Sequence, residues 1–439
     1  RDELELYFDW RAWSENAKLG GRWPDPDSQD YLPRFLARLF QAGSLRNVSG
    51  VVGFDGGVGV DLHGELSSEL MTTVQKQIYR QRGAERAWLM ENVARMVRAD
   101  AALVLYLQVD IGDLLRELFA AAGADSRSLL EDLVRSTGAY NGVEPLIAEL
   151  GKLFKDRVAL IVRENTYATQ TAPAGDSGER LDTISDAPHN DEPVPAIAVM
   201  LWTDGSREAL AKIEELHQLV NKNQGRIGLR GPEGASGVYN NQISTGHDVW
   251  EFWSELIDGT GHVATAADYD RYLITNHYRM IEDLMRVFGQ GGTRYPRLSE
   301  RAEFRALMEE SLDQSNALLW LDPRSLAAIR APFHEELARY RVSDSTDWTV
   351  ERANLEARVV REQFPGQARG DLDQSTQAKV NAIVDPLLDA LVEERVAPVL
   401  AELERQDLYL SALSGALVTL GLDQSFFDLQ AQALVPLAE

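Results

Sequence analysis

Cysteine is absent from all 439 residues of this chain. That one lack removes disulfides, thiolate metal sites, iron–sulfur clusters and cysteine nucleophiles together. It suits an exported protein that avoids stray thiols in an oxidising compartment, although some cytosolic proteins share it. Long apolar runs are missing too: none reaches the roughly 18 residues that a membrane helix needs, so no membrane insertion by these residues is expected. Positive charge is scarce, with 44 Lys and Arg against 69 Asp and Glu, a formal net charge of −25. Nucleic acid and anionic lipid are therefore poor partners, since both are held by clustered cations. The simplest meaning of the acidity is solubility. The glycine cluster Gly53, Gly56, Gly57, Gly59 matches neither a dinucleotide fingerprint nor a phosphate loop, and no loop lysine follows it. These read as turn and edge-strand glycines, and no cofactor signature is present.

What is there reads as a folded α+β protein. Hydrophobic residues make up 44% and charged residues 26%, ordinary values for a globular chain long enough for two or three domains. A chain that begins at Arg1 rather than at Met reads as a trimmed or processed product. A strand-then-helix unit recurs. Leu4 to Phe8 alternates and stops at Asp9; Ala101 to Val109 is apolar and stops at Asp110; Ala317 to Leu321 stops at Asp322, with Pro323 next. Aspartate at such a junction accepts the free N–H groups of a helix's first turn, and proline fits the first helical position. The three aspartates are expected to cap helices rather than to catalyse.

Other elements follow from pattern. Val51 to Phe54 and Val58 to Leu62 flank Asp55-Gly56, a hairpin signal. Arg157 to Val162 and Ala196 to Trp202 are continuous apolar runs, as strands buried on both faces would be. Leu210, Ile213, Leu216 and Val220 make a helical stripe after Asp204-Gly205-Ser206, and Ser128 with Glu131 forms a capping-box pattern. Residues 166–195 and 221–237 lack periodicity and are expected to be long loops. Beyond about residue 331 strand signals vanish. Val380 to Val392 and Leu408 to Leu420 mark helical faces, with Pro386 and Pro398 expected to kink or break their helices. The expected organisation is an N-terminal α+β unit over 1–95, a central α+β domain over 96–330 and a helical domain over 331–439. The strand–helix units should build mixed or antiparallel sheets with packed helices.

Candidate chemistry is thin. Gly175-Asp176-Ser177-Gly178 spells a serine-protease tetrapeptide, but its expected place in a long loop offers neither a fixed histidine nor an oxyanion hole. None of the seven histidines is paired at metal-site helical spacing: His334-Glu335-Glu336 has Ala338 where a second ligand belongs. Ser244 to Asp248 gathers triad residue types on one turn, where neighbours point apart. Asp25 to Asp30 and His189 to Glu192 could each hold a hard cation only weakly, and neither meets the EF-hand pattern. Trp250, Phe252 and Trp253, with His247 close by, form the densest aromatic patch and the one candidate binding surface for a ligand or partner.

Val249 to Gly261 (VWEFWSELIDGTG), Ala264-Thr265 and Tyr272 to Asn276 resemble an uncharacterised family of bacterial cell-envelope proteins, a domain of unknown function, over about residues 90–330. Phe304 to Asp322, a helix followed by a short apolar strand and an aspartate, is similar to that family's ending. The resemblance implies a fold type, a preceding signal or anchor and a periplasmic or otherwise exported location, but no activity. The leading expectation is a non-catalytic envelope component acting through protein–protein contacts, with a protein partner or a second copy. The alternatives are a binding protein for a small or polymeric ligand through the aromatic patch, and a hydrolase with dispersed carboxylates.

Overall fold

The structure is a computed structural model that describes residues 3–9, 31, 34–35, 38, 44–54, 57–69, 71, 73–78, 81–167, 173–174, 179–180, 194–230, 237–243, 246–253, 262–288, 295–366, 370, 372–422 and 425–435. The chain forms two compact units, one of Arg1–Leu326 with Leu413–Glu439, the other of Ala327–Ala412.

In chain order the first unit holds β1 (Glu3–Asp9), β2 (Leu45–Gly53), β3 (Gly57–Leu66), α1 (Thr73–Ile78), β4 (Ala84–Glu85), α2 (Arg86–Asn92), β5 (Leu103–Gln108), α3 (Ile111–Ala121), α4 (Ala124–Ser136), α5 (Val143–Leu153) and β6 (Arg157–Arg163). It continues with β7 (Pro173–Ala174), β8 (Glu179–Arg180), β9 (Ala196–Trp202), α6 (Arg207–Asn223), β10 (Val238–Gln242), β11 (Asp248–Trp253), β12 (His262–Asp268), β13 (Arg271–Thr275), α7 (Tyr278–Phe288), α8 (Ala302–Glu310), β14 (Gln314–Ser315), β15 (Ala317–Leu321) and the start of α9 (Pro323–Arg330). The second unit holds α10 (His334–Ser345), α11 (Trp348–Gln363) and α12 (Gln374–Ser411). The chain then returns to the first unit with β16 (Gly415–Leu422) and β17 (Phe426–Leu434).

Among the described residues, thirteen strands form one sheet in the order β1-β2-β3-β17-β16-β15-β5-β6-β9-β13-β12-β11-β10. Neighbours throughout it run antiparallel. The α+β class therefore holds, with an antiparallel rather than a mixed large sheet. β2 and β3 pair as the hairpin expected around Asp55-Gly56, which themselves lie outside the described residues. The N-terminal and central parts, expected as separate units, share this one sheet.

Burial sorts the strands by face, because successive side chains point to opposite sides. Val104, Tyr106, Ala159, Ile161, Ala198, Met200, Trp202, Ala264, Ala266 and Leu273 lie on the first face and are buried. They pack under α2, α7 and α8 through Leu89, Met280, Ile281, Leu284, Phe304 and Leu307. The second face carries Leu105, Leu107, Val158, Leu160, Val199, Leu201, Tyr272 and Ile274, and each of these is only half-buried. The continuous apolar runs suggested strands buried on both faces. One face alone meets that expectation.

Helix starts follow the capping argument. The Asp110 side chain accepts from the Asp113 N–H at 2.8 Å and opens α3, and Ser206 accepts from the Ala209 N–H at 3.0 Å and opens α6. Asp322 accepts from the Ser325 hydroxyl at 2.8 Å at the start of α9 and also pairs with Arg301 at 2.8 Å. Asp9 ends β1, and the segment after it lies outside the described residues. Ser128 and Glu131 do not form a cap; they sit inside α4, whose N-cap is Gly123. Glu131 instead accepts from the Val143 N–H at 3.3 Å, at the start of α5.

The helical region expected over 331–439 ends at α12, and residues from Leu413 belong to the sheet unit. The stripe Leu408 to Leu420 is split accordingly, helix to Ser411 and strand from Gly415. Pro386 and Pro398 both lie within the single 38-residue helix α12. Each removes a backbone N–H. Packing compensates on either side: Val380 and Val384 join Leu355, Val359 and Val360 of α11, while Val396 and Leu403 join Ala338 and Val342 of α10. His334 Nε2 lies 2.7 Å from Asp407 at the far end of that second cluster.

Candidate ligand-binding cavity

The half-buried second face is roofed by α3, α5 and α6. Ile111, Leu153, Phe154, Ala209 and Ile213 form a small core there, with Leu114, Leu150, Leu216 and Tyr272 packed against it. α3 and α5 meet through glycines: a Cβ built on Gly151 would lie 2.9 Å from the Gly112 Cα, closer than real Cβ atoms come. Only a residue without a side chain permits that backbone approach. The roof does not close onto the whole sheet. Between them remains a partly open cavity of about 540 Å³, walled by Leu105, Leu107, Leu160, Val199, Leu201 and Ile274 from the strands and Leu114, Leu115, Leu118, Leu150 and Leu216 from the helices. Among the described residues that line it, Tyr272 is the one that bears a polar side-chain atom, so the wall is almost entirely carbon. Volume and lining match those of small-molecule sites.

The aromatic patch of the sequence is divided by the strand alternation of β11. Trp250 is 4% exposed and Trp253 is 5% exposed, and they lie on opposite faces of the sheet. They share no exposed surface, so the two rings do not line one common face. Trp250 and Phe252 join a ring box on the cavity face, around His217 of α6, with ring centroids 5.2 Å and 5.9 Å from the imidazole. His217 Nε2 lies 2.8 Å from the Tyr272 hydroxyl and 3.1 Å from Thr265 Oγ1. The Trp250 indole N–H donates to Glu214 at 3.2 Å. Burial lowers the His217 pKa from 6.5 to about 4 and pushes the Tyr272 phenol up to about 12, because charge is costly away from water. Both are neutral at pH 7.

Trp253 sets its ring 4.5 Å from that of His262, tilted by 45°, on the packed face, where His262 Nε2 pairs with Glu251 at 3.0 Å, the His262 and Glu251 side chains fully buried. His247, half-buried, pairs with Asp268 at 3.2 Å. The structure thus brings Trp250 and Phe252 together and sends Trp253 and His247 elsewhere. His217 was missed by sequence reasoning, since a lone histidine on a helical stripe carries no motif.

A second polar assembly lies on the packed face at the strand ends. Arg163, 2% exposed, reaches Asp100 at 2.9 Å and Asp283 at 3.5 Å. Arg98 pairs with the same two carboxylates at 2.7 Å and 2.9 Å, and the Tyr167 hydroxyl donates to Asp283 at 2.8 Å. Two cations facing two carboxylates and a phenol leave no net charge to recruit a ligand, and the cluster reads as an internal tie between α7 and the strands. The Asp113 pKa is raised, by burial first and then by Asp110, but Arg116 holds this carboxylate at 2.7 Å. Among the described residues no group of three or more His, Asp or Glu could hold a metal ion. The tetrapeptide at 175–178 and the loops at 25–30 and 189–192 lie outside the described residues, as do Ser244 and Thr245.

No family model, no curated protein and no solved structure matches the chain.

Proposed function

We propose that the sheet unit is a binding protein for a small hydrocarbon-like molecule, held between the second face of the sheet and α3, α5 and α6. This keeps the ligand-binding alternative of the sequence but moves its site from the aromatic patch to the cavity. One observation carries it: strands apolar on both sides are covered on one side and hollow on the other. An unfilled apolar volume is costly. At ~24 cal/mol per Å³, a closed void of this size would cost on the order of 10 kcal/mol, comparable with a whole domain's stability. Even a fraction of that, for a partly open cavity, favours an occupant that restores contact with the leucine walls. In the envelope location implied by the resemblance, the occupant would be a lipid-like molecule met outside the inner membrane.

Calorimetric titration of the full chain with 1-dodecanol tests this. The chain should bind it saturably. A double variant, Leu160→Phe with Val199→Phe, fills the cavity from two cross-strand partners and should lose at least tenfold in affinity while its urea midpoint holds or rises. Absence of saturable binding by the unaltered chain ends the reading.

A further inference from the structure

Leu115, Leu118 and Leu150 line a second cavity as well as the first, so one side of α3 and α5 adjoins the other. This second space, about 610 Å³, is walled by Phe119, Leu130, Val143 and Ile147 and carries Tyr31 and Arg34 at its edge. Among the described residues of that lining, Arg34 is the one that is formally charged. Tyr31, Arg34, Phe35 and Arg38 are helical residues at three- and four-residue spacing, hence on one face. Two of them fasten that face to α3: Tyr31 donates to the Leu118 carbonyl at 3.2 Å, and Arg38 pairs with Glu117 at 2.5 Å. Glu117 is thereby engaged. Among the described residues Arg34 has no such counterpart, and its Nε is shielded from water yet meets no hydrogen-bond partner.

A buried guanidinium donor without an acceptor is costly, and a chain of formal charge −25 does not lack acids that could have been placed beside it. We infer that the ligand is an amphiphile of the long-chain carboxylate class, its hydrocarbon in the leucine-walled cavity and its anionic head on Arg34. The inference rests on the proposed binding role and adds the head group to it. Guanidinium donors in a planar fork match a carboxylate, and the low dielectric around half-buried Arg34 strengthens the pairing. The adjoining cavities give the ligand a direction: tail against the sheet, head towards the Tyr31–Arg38 face.

The experiment compares dodecanoate with 1-dodecanol, both below micelle formation, on the full chain and on Arg34→Gln and Arg34→Lys. Dodecanoate should bind about tenfold or more tightly than dodecanol, as a charge-assisted hydrogen bond allows. Arg34→Gln should remove that preference and leave dodecanol affinity unchanged, Arg34→Lys should keep part of it, and added salt should erode it. Neither variant should melt below the unaltered chain, since among the described residues the Arg34 Nε has no hydrogen bond to lose. Equal binding of acid and alcohol, or a preference indifferent to Arg34→Gln, overturns the head-group assignment while the cavity reading stands. Binding of neither probe overturns both.

Discussion

Leu160 and Ile161 are consecutive residues of one strand, equally apolar, and they meet opposite surroundings. Ile161 is fully enclosed among Val104, Ala198 and Met200 under α7, whereas Leu160 looks into the cavity and stays half-open. The same contrast repeats at Val199 against Met200 and at Leu201 against Trp202. Hydrophobicity alone does not distinguish the two sides. The difference lies in what covers them: on one side large rings and methionines interlock, on the other two helices are held by a glycine contact and a third by a ring box, leaving space. A close-packed side resists change; a hollow side can accept a guest.

Three measurements would break or sharpen that contrast. The largest effect should come from Asp283→Ala on the packed side, which strips Arg163 and Arg98 of a shared carboxylate and leaves guanidinium charge buried. A loss of about 3–5 kcal/mol is expected from urea denaturation. A loss under about 1 kcal/mol would mean that this side does not depend on its ionic tie.

Next is the acid response of the hollow side. The His217 pKa lies at about 4 in the folded chain and at 6.5 when unfolded. Above pH 6.5 both forms are neutral and the fold keeps its full stability. As pH falls from 6.5 towards 4, the unfolded chain takes up a proton that the folded one refuses. Stability should therefore drop by about 3 kcal/mol across that window. Comparing unfolding of the unaltered chain and His217→Gln at pH 7 and pH 4.5 isolates this term. Equal slopes would show that the imidazole is protonated in place. Smallest is the direct comparison of neighbours. Ile161→Ala should cost about 2–5 kcal/mol and Leu160→Ala at least about 1 kcal/mol less, because Leu160 already faces space. Equal costs would indicate that the cavity is filled in solution.

Much of the frame was legible in the residues. Asp110 caps the helix it was expected to cap, a helix begins directly after Asp204-Gly205-Ser206 as expected, β2 and β3 form the expected hairpin, and β6 and β9 occupy the apolar runs. These features are local, set by chain chemistry within a few residues. What escaped is non-local. Only three residues separate the strand Gly415 to Leu422 from the helix that ends at Ser411, so the strand period merges with the helical stripe before it. Pro386 and Pro398 break a helix only when packing does not compensate, and that packing comes from α10 and α11. The candidate site was the least readable. Trp250 and Phe252 stand out as a cluster, but their partners, His217 and Tyr272, arrive from another helix and another strand. Leu105, Leu160 and Val199 look like any core residues, and Arg34 looks like any surface cation until its neighbours are known. The one available hint was the excess of apolar residues on both sides of strands whose second side turned out to be half-open.

β16 and β17, the last strands in the chain, sit between β3 and β15 in the sheet. The N-terminal hairpin thus has no ladder to the rest of the sheet until those final residues have been made. During synthesis β3 must wait with an open edge for a partner more than three hundred positions downstream, where Leu62 meets Leu429. Such long-range pairing folds slowly and leaves strand edges prone to mispairing meanwhile. A chain cut short before Leu413 would be left with two disconnected sheet fragments instead of one.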